Sequence, residues 1–354
     1  MKRAGFTAVG AALSLIAGGH APAPPAAVRP TEPDTYDLLW KALEVKQGVD
    51  FHGWPAIVMR SSNAEVVVVP AIGRVMQFRR IDDPHADPAD TGPFWQNPQL
   101  ARGMPGDENG WINYGGDKAW PAPQAAWADV AGRGWPPPAT FDARPFTATV
   151  VDGAVHLVSE VDPAYGVRVE RVIRVCRQGH EMMIETRYQK VSGPPVRVAV
   201  WTITQLTSPE LMFMLLPKDS SFFPAGYKLE MPTKPRDLRA SGRLVTLGRD
   251  PLNKTMIGND ADAMLWMGAK DALILKRPHD QVFAPDAVWA DDVRAQIYTS
   301  SDDALPYVEL ELLGPVRELR VGESTAMTVS YVLTRAVKEG KSVGPGLLES
   351  PFSH

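Results

Sequence analysis

Two glutamates set two residues apart are the first candidates for chemistry in this chain. In Tyr307-Val308-Glu309-Leu310-Glu311-Leu312 polar and apolar residues alternate, which is the period of a strand with one polar face. Val308, Leu310 and Leu312 then share one face, and Tyr307, Glu309 and Glu311 share the other. Carboxylates so spaced lie roughly 7 Å apart, close enough to divide acid and base work or to hold sugar hydroxyls. The competing reading is a solvated strand face. A second charged pair, Asp117-Lys118, stands between Gly115-Gly116 and Trp120-Pro121. Glycines admit positive φ and close backbone approach, so a loop of this kind aims its charges. The plainer alternative has Asp117 capping backbone amides and Lys118 in solvent. Lys118 and Lys276 are the candidate proton donors or anion holders.

Arg171 falls in an apolar row with Val167, Val169, Ile173 and Val175. A buried guanidinium needs a partner. Asp117 and Glu311 are the candidate carboxylates, and a ligand oxygen is the alternative. Trp201 and Gln205 share a face of Trp201-Thr202-Ile203-Thr204-Gln205, with Trp120 as a further aromatic. Indoles beside amides and carboxylates suit carbohydrate: the C–H face of the ring packs on the aromatic, and its hydroxyls take the polar groups.

Other chemistries find little support. No H-E-x-x-H, G-x-S-x-G, P-loop or dinucleotide fingerprint occurs, so neither cofactor nor metal is expected. The Asp82–Asp87 run lacks calcium-loop spacing and reads as a solvated turn. Cys176 is the sole cysteine, has no evident histidine partner and excludes an intrachain disulfide. With 37 Lys+Arg against 41 Asp+Glu and no basic block, nothing neutralises a run of phosphates, which argues against nucleic acid.

The elements that position these residues are strands. The chain has 33 Pro and 29 Gly, a composition that interrupts helices. One helix is expected, Tyr36–Val45, behind Asp34 as its cap. Alternating runs follow at Ala56–Arg60, Glu65–Pro70, Arg74–Arg79, Thr147–Val151, Val155–Glu160, Val167–Val175, Glu181–Lys190 and Val196–Leu206. Leu244–Leu247, Ala263–Met267, Ala272–Lys276, Ala295–Tyr298, Tyr307–Leu312 and Ser324–Leu333 complete the set. Between Pro84 and Pro145 lie eleven prolines, eight glycines and five of the ten tryptophans, so this stretch is read as a long loop without strands. Its tryptophans either plug an end of the core or line a pocket. The organisation expected is a signal peptide at 1–21, a flexible leader and short helix at 22–47, one all-β domain at 48–336 and a tail at 337–354. Lys2 and Arg3 ahead of a short apolar run carry the signal reading, and with it a periplasmic or secreted location. That run is too short to span a bilayer, so no membrane insertion is expected.

The loop also carries a resemblance. Gly115-Gly116-Asp117-Lys118-Ala119-Trp120-Pro121-Ala122-Pro123 is similar to the G-G-D-K-x-W-P-A-P signature of an uncharacterised bacterial family, a domain of unknown function grouped with the galactose mutarotase-like proteins. Pro70–Val75 with Arg74, Gly166–Ile173 with Arg171, Trp201–Gln205, Leu275–Arg277, Tyr307–Pro315 and Gly322–Ser324 resemble its other segments in order. The resemblance spans roughly residues 50–335. It implies a supersandwich of two large antiparallel sheets, with Arg74, Asp117, Trp120, Arg171, Trp201 and Gln205 as candidate sugar contacts. Mutarotase relatives use a late-strand glutamate as base, which points to Glu309 or Glu311, and a histidine pair as acid. The seven histidines here, His20, His52, His85, His156, His180, His279 and His354, match no such motif. The expected function is therefore sugar binding with epimerase-like acid/base chemistry. A non-catalytic carbohydrate- or protein-interaction module is the alternative.

Overall fold

Alternation decides most of the strands. In the computed structural model, which describes residues 39–83, 90–235 and 237–336, Val167–Val175 buries every odd residue and half-exposes every even one. The chain divides into Met1–Asp34 and Thr35–His354, and all described residues belong to the second unit. The signal, most of the leader and the tail lie outside them.

The strands of the first half are β1 (Glu44–Phe51), β2 (Trp54–Arg60), β3 (Ala64–Val69), β4 (Arg74–Arg80), β5 (Asp117–Ala122), β6 (Phe146–Val151), β7 (Ala154–Val161), β8 (Val167–Val175), β9 (Glu181–Lys190) and β10 (Val196–Thr207). Then come β11 (Leu211–Leu215), β12 (Lys228–Leu229), β13 (Arg239–Ser241), β14 (Leu244–Leu247), β15 (Thr255–Asn259), β16 (Ala263–Met267), β17 (Asp271–Lys276), β18 (Ala295–Thr299), β19 (Tyr307–Leu313), β20 (Arg317–Leu319) and β21 (Ser324–Arg335). All pair antiparallel in two sheets. The first runs β1-β2-β3-β4-β5-β10-β19-β18-β15-β12, with β20 added to β10. The second runs β13-β14-β11-β16-β17-β21-β9-β8-β7-β6. Every strand expected from the sequence is present.

The inner faces of the two sheets make the core, where Ile297, Val308, Leu310 and Leu312 of the first join Met182, Ile184, Val329 and Leu333 of the second. Each such side chain contributes about 1.5–3 kcal/mol by leaving water. A smaller apolar cluster coats the outer face of β2–β4, where Leu100 and Tyr114 of the long loop cover Trp54, Val58, Val67 and Met76.

Two expectations are corrected. Of the helix expected over 36–45, residues 36–38 lie outside the described residues and its end is not helical: Glu44 and Val45 open β1 instead, paired with Arg60 and Met59. Edge pairing outweighs the weak helical pattern there. The stretch 84–145 is not strandless either, because β5 sits in the middle of the first sheet between β4 and β10. Pro121, which has no N–H for the ladder, disguised it. Its carbonyl instead accepts the Trp127 indole N–H at 2.7 Å.

Candidate functional site

The register of three strands assembles the site. Ile203 of β10 pairs with Lys118 of β5 on one side and Glu311 of β19 on the other, and Gln205 pairs with Glu309. Paired residues point the same way, so Lys118, Trp120, Trp201, Gln205, Glu309 and Glu311 share the outer face of the first sheet. Tyr298 and Gln296 of β18 join them opposite Glu309 and Glu311.

Gly115 and Gly116 aim the turn into β5. Both have positive φ, at 93° and 72°, and a Cβ on Gly115 would stand 2.2 Å from the Trp95 carbonyl oxygen. No other residue fits there. Beyond them, Lys118 donates to Glu309 at 3.2 Å and lies 4.7 Å from the centre of the Trp120 ring. The Trp201 indole N–H donates to Glu311 at 2.7 Å. Burial, with the charge of Glu309 next and Glu230 adding to it, holds the Glu311 carboxyl well above the usual carboxylate range, against the opposing pull of Trp201 and Lys118. Burial likewise lowers the Lys118 ammonium, while Glu309 pulls it back up. The phenol of Tyr298 is pushed up to about 12, chiefly by burial and then by Glu309, and Tyr307 is raised further for the same reasons. Both phenols are therefore donors at neutral pH. Glu311 is only 1% exposed, whereas the Glu309 side chain is 13% exposed and is the carboxylate that solvent reaches.

Gln205 is fully buried, and neither end of its amide finds a hydrogen-bond partner among the described residues. The Asn113 amide oxygen is a second unmatched polar atom, in the loop beside Tyr307. Buried amides without partners cost about 1–3 kcal/mol each. Such a cost is tolerated where a ligand supplies the missing partner.

Four candidates serve elsewhere. Asp117 turns to the opposite side of β5 and meets Arg171, its partner across the sheets. Thr204 and Tyr331 also donate to it, at 2.8 and 2.6 Å. This resolves the alternatives for Arg171: it pairs with Asp117, not with Glu311. The pair lies in the core rather than among the sugar contacts. Arg74 is buried and bound to the Asp142 carboxylate at 2.6 Å and the Gly115 carbonyl at 2.8 Å, so it fastens the loop and leaves no free edge for substrate. Lys276 belongs to β17 of the second sheet and lines a different cleft, so it supplies no charge to the glutamates.

Sequence reasoning gave Asp142 no role, yet it is the hub of the tryptophans, accepting from Trp111 at 3.0 Å and Trp120 at 2.9 Å as well as from Arg74. Trp120 meets Trp127 and Trp201 edge-on, each at 5.6 Å between ring centres. Trp135 alone of this group is notably open, at 39%. Tyr298 was also passed over; only the β18–β19 register brings it to Glu309. Among the described histidines, His52, His156, His180 and His279, none is bonded to either glutamate.

No family model matches the sequence, and no curated protein matches it. Solved structures do. A galactose mutarotase-like protein from Lactobacillus casei aligns with a TM-score of 0.50 at 9% identity, over 79% of this chain and 100% of the other. A galactose mutarotase-like protein from Clostridium acetobutylicum gives the same score and identity over 83% and 99%. The fold is galactose mutarotase-like. A TPR-domain containing protein from Parabacteroides distasonis carries a similar region, with a TM-score of 0.51 at 11% identity over 79% of this chain and 47% of that one. Among the described residues no helix is long and apolar enough to cross a membrane.

Proposed function

We propose that this chain is an exported sugar-binding protein of the Gly-Gly-Asp-Lys signature group, acting on a reducing sugar by acid/base chemistry at the Glu309–Glu311 face. The observation that carries this reading is the pairing of an accessible carboxylate, held by Lys118, with a buried one that favours its proton, two residues along the same strand. Opening a cyclic sugar needs both. Glu309 takes the proton of the anomeric hydroxyl, the bond from the anomeric carbon to the ring oxygen breaks, and Glu311 delivers a proton to that oxygen. Closure from the other face reverses each transfer. Lys118 steadies the developing oxyanion, and each positioned group is worth roughly 10²–10⁴-fold. Glu311 thereby replaces the histidine acid that the sequence lacks, and Gln205 is a hydroxyl partner in waiting.

The burial of Lys118 and Glu311 favours a second reading, a sugar-binding protein without turnover. Docking of a protein through the tryptophans loses its support, since most of them turn inward. NMR exchange spectroscopy on a panel of reducing sugars decides the matter. Wild type should accelerate anomer exchange, with Glu309→Gln and Glu311→Gln each slower by at least about a hundredfold. Binding without any acceleration would leave the module reading standing and remove the catalytic one.

A further inference from the structure

On the outer side of the second sheet, the loop after β17 roofs a cleft of about 810 Å³. Its described lining holds five cations, Lys218, Arg243, Lys276, Arg277 and Arg294, and one carboxylate, Asp262. That carboxylate is engaged by Arg277 at 2.8 Å. Asp280 and Asp286 belong to the roofing loop but are exposed and stand outside the lining. A local excess of positive charge in a chain of net charge −4 is a feature that composition does not require.

The cations are not equivalent. Arg277 is buried and holds the walls together, donating to the carbonyls of Ala261, Arg294 and Leu313. Arg243 uses its Nε on the Leu216 carbonyl at 2.7 Å. Arg294 lies 5.0 Å from the centre of the Trp289 ring, which itself meets Phe283 edge-on at 5.2 Å. This cation–π contact holds that guanidinium beside the indole without using its N–H donors. Lys218 stands exposed at the mouth. Leu215, Leu216 and Phe283 supply apolar wall between the charges. The volume lies within the range of small-molecule sites.

We infer that this cleft is a second ligand site, taking a saccharide that carries oxyanion groups, a sugar acid or a sulfated sugar, with its charge on Arg294, Lys276 and Lys218 and its ring against the apolar wall. The inference stands on the lining alone and does not depend on the glutamate face.

Calorimetric titration of the full chain tests it, using tetragalacturonate, a sulfated disaccharide, glucose 6-phosphate, a neutral tetrasaccharide and a short single-stranded oligonucleotide. The carboxylated or sulfated probe should bind, more weakly at higher salt, and the neutral one should show no binding that depends on the cleft. Lys218→Glu, at an exposed position with no cost to folding, and Arg294→Gln should each weaken that binding roughly tenfold or more. Glu309→Gln should leave it unchanged, which separates this site from the other. The inference is overturned if no acidic sugar binds, if binding survives both cleft variants, or if only the oligonucleotide is taken.

Discussion

Asp117 and Lys118 are neighbours in sequence, and each is a buried charge with an opposite charge beside it, yet they belong to different chemistries. Asp117 faces the core, where Arg171, Thr204 and Tyr331 all donate to it. Lys118 faces outward to Glu309 and an indole face, next to an amide with no partner. Both oxygens of the Asp117 carboxylate are engaged in the inner network, which ties the two sheets together although the Arg171 Nε has no partner. The outer one is incomplete, and the groups left over are those a polyhydroxyl ligand would satisfy. The contrast teaches that burial alone does not distinguish the two charges; what each one is bonded to does.

The sharpest way to break the comparison is Asp117→Ala, which leaves the Arg171 guanidinium buried without its carboxylate. A loss of about 3–5 kcal/mol is expected in urea unfolding, against about 1–2 kcal/mol for Lys118→Met, whose partner Glu309 reaches solvent. Equal losses would mean that both faces are structural. Next in size is the pH response of Glu311. Its folded pKa is raised, so the native state binds the extra proton and stability should fall as pH rises above the ordinary value of 4.5. Glu311→Gln should flatten that slope in thermal melts run from acid to neutral pH. Lys118, lowered in the folded state, acts with the opposite sign and adds stability as pH approaches 10.5.

A smaller effect probes the inner network: Tyr331→Phe removes one of three donors to Asp117 and should cost about 1 kcal/mol without altering sugar affinity. Smallest in stability is Gln205→Met. Removing an unpartnered amide should be neutral or stabilising by about 1 kcal/mol, while sugar binding weakens. A clear destabilisation would show that Gln205 already has its partners, and the distinction between the two faces would go.

Much of this is legible in the sequence. The alternation in Tyr307–Leu312 correctly put Glu309 and Glu311 on one face, because a strand's period is fixed by its backbone. The likeness of Trp201–Gln205 to a strand placed the indole and amide together for the same reason. What escaped was whatever depends on register or on an irregular strand. Pro121 hid β5, and with it the fact that Asp117 and Lys118 point to opposite sides. Thr255–Asn259 was missed because Gly258 breaks its pattern, and Leu211–Leu215 because five apolar residues in a row have no period. The partnership of Arg74 with Asp142 joins residues 68 apart through a loop, and no local pattern encodes that.

The order of strands in the second sheet has a consequence for how the molecule is made. β21 is the last strand among the described residues, yet it lies in the interior of the sheet, hydrogen-bonded to β17 on one side and β9 on the other. Until residues Ser324–Arg335 have left the ribosome, β9 and β17 each present an open edge, and the two halves of that sheet have nothing to join them. In the first sheet β10 likewise waits for β19. A nascent chain of this topology cannot complete either layer before those strands emerge. Its folding is slow because its contacts are so distant in sequence. Removing β21 would leave two unpaired edges prone to self-association rather than a smaller version of the same protein.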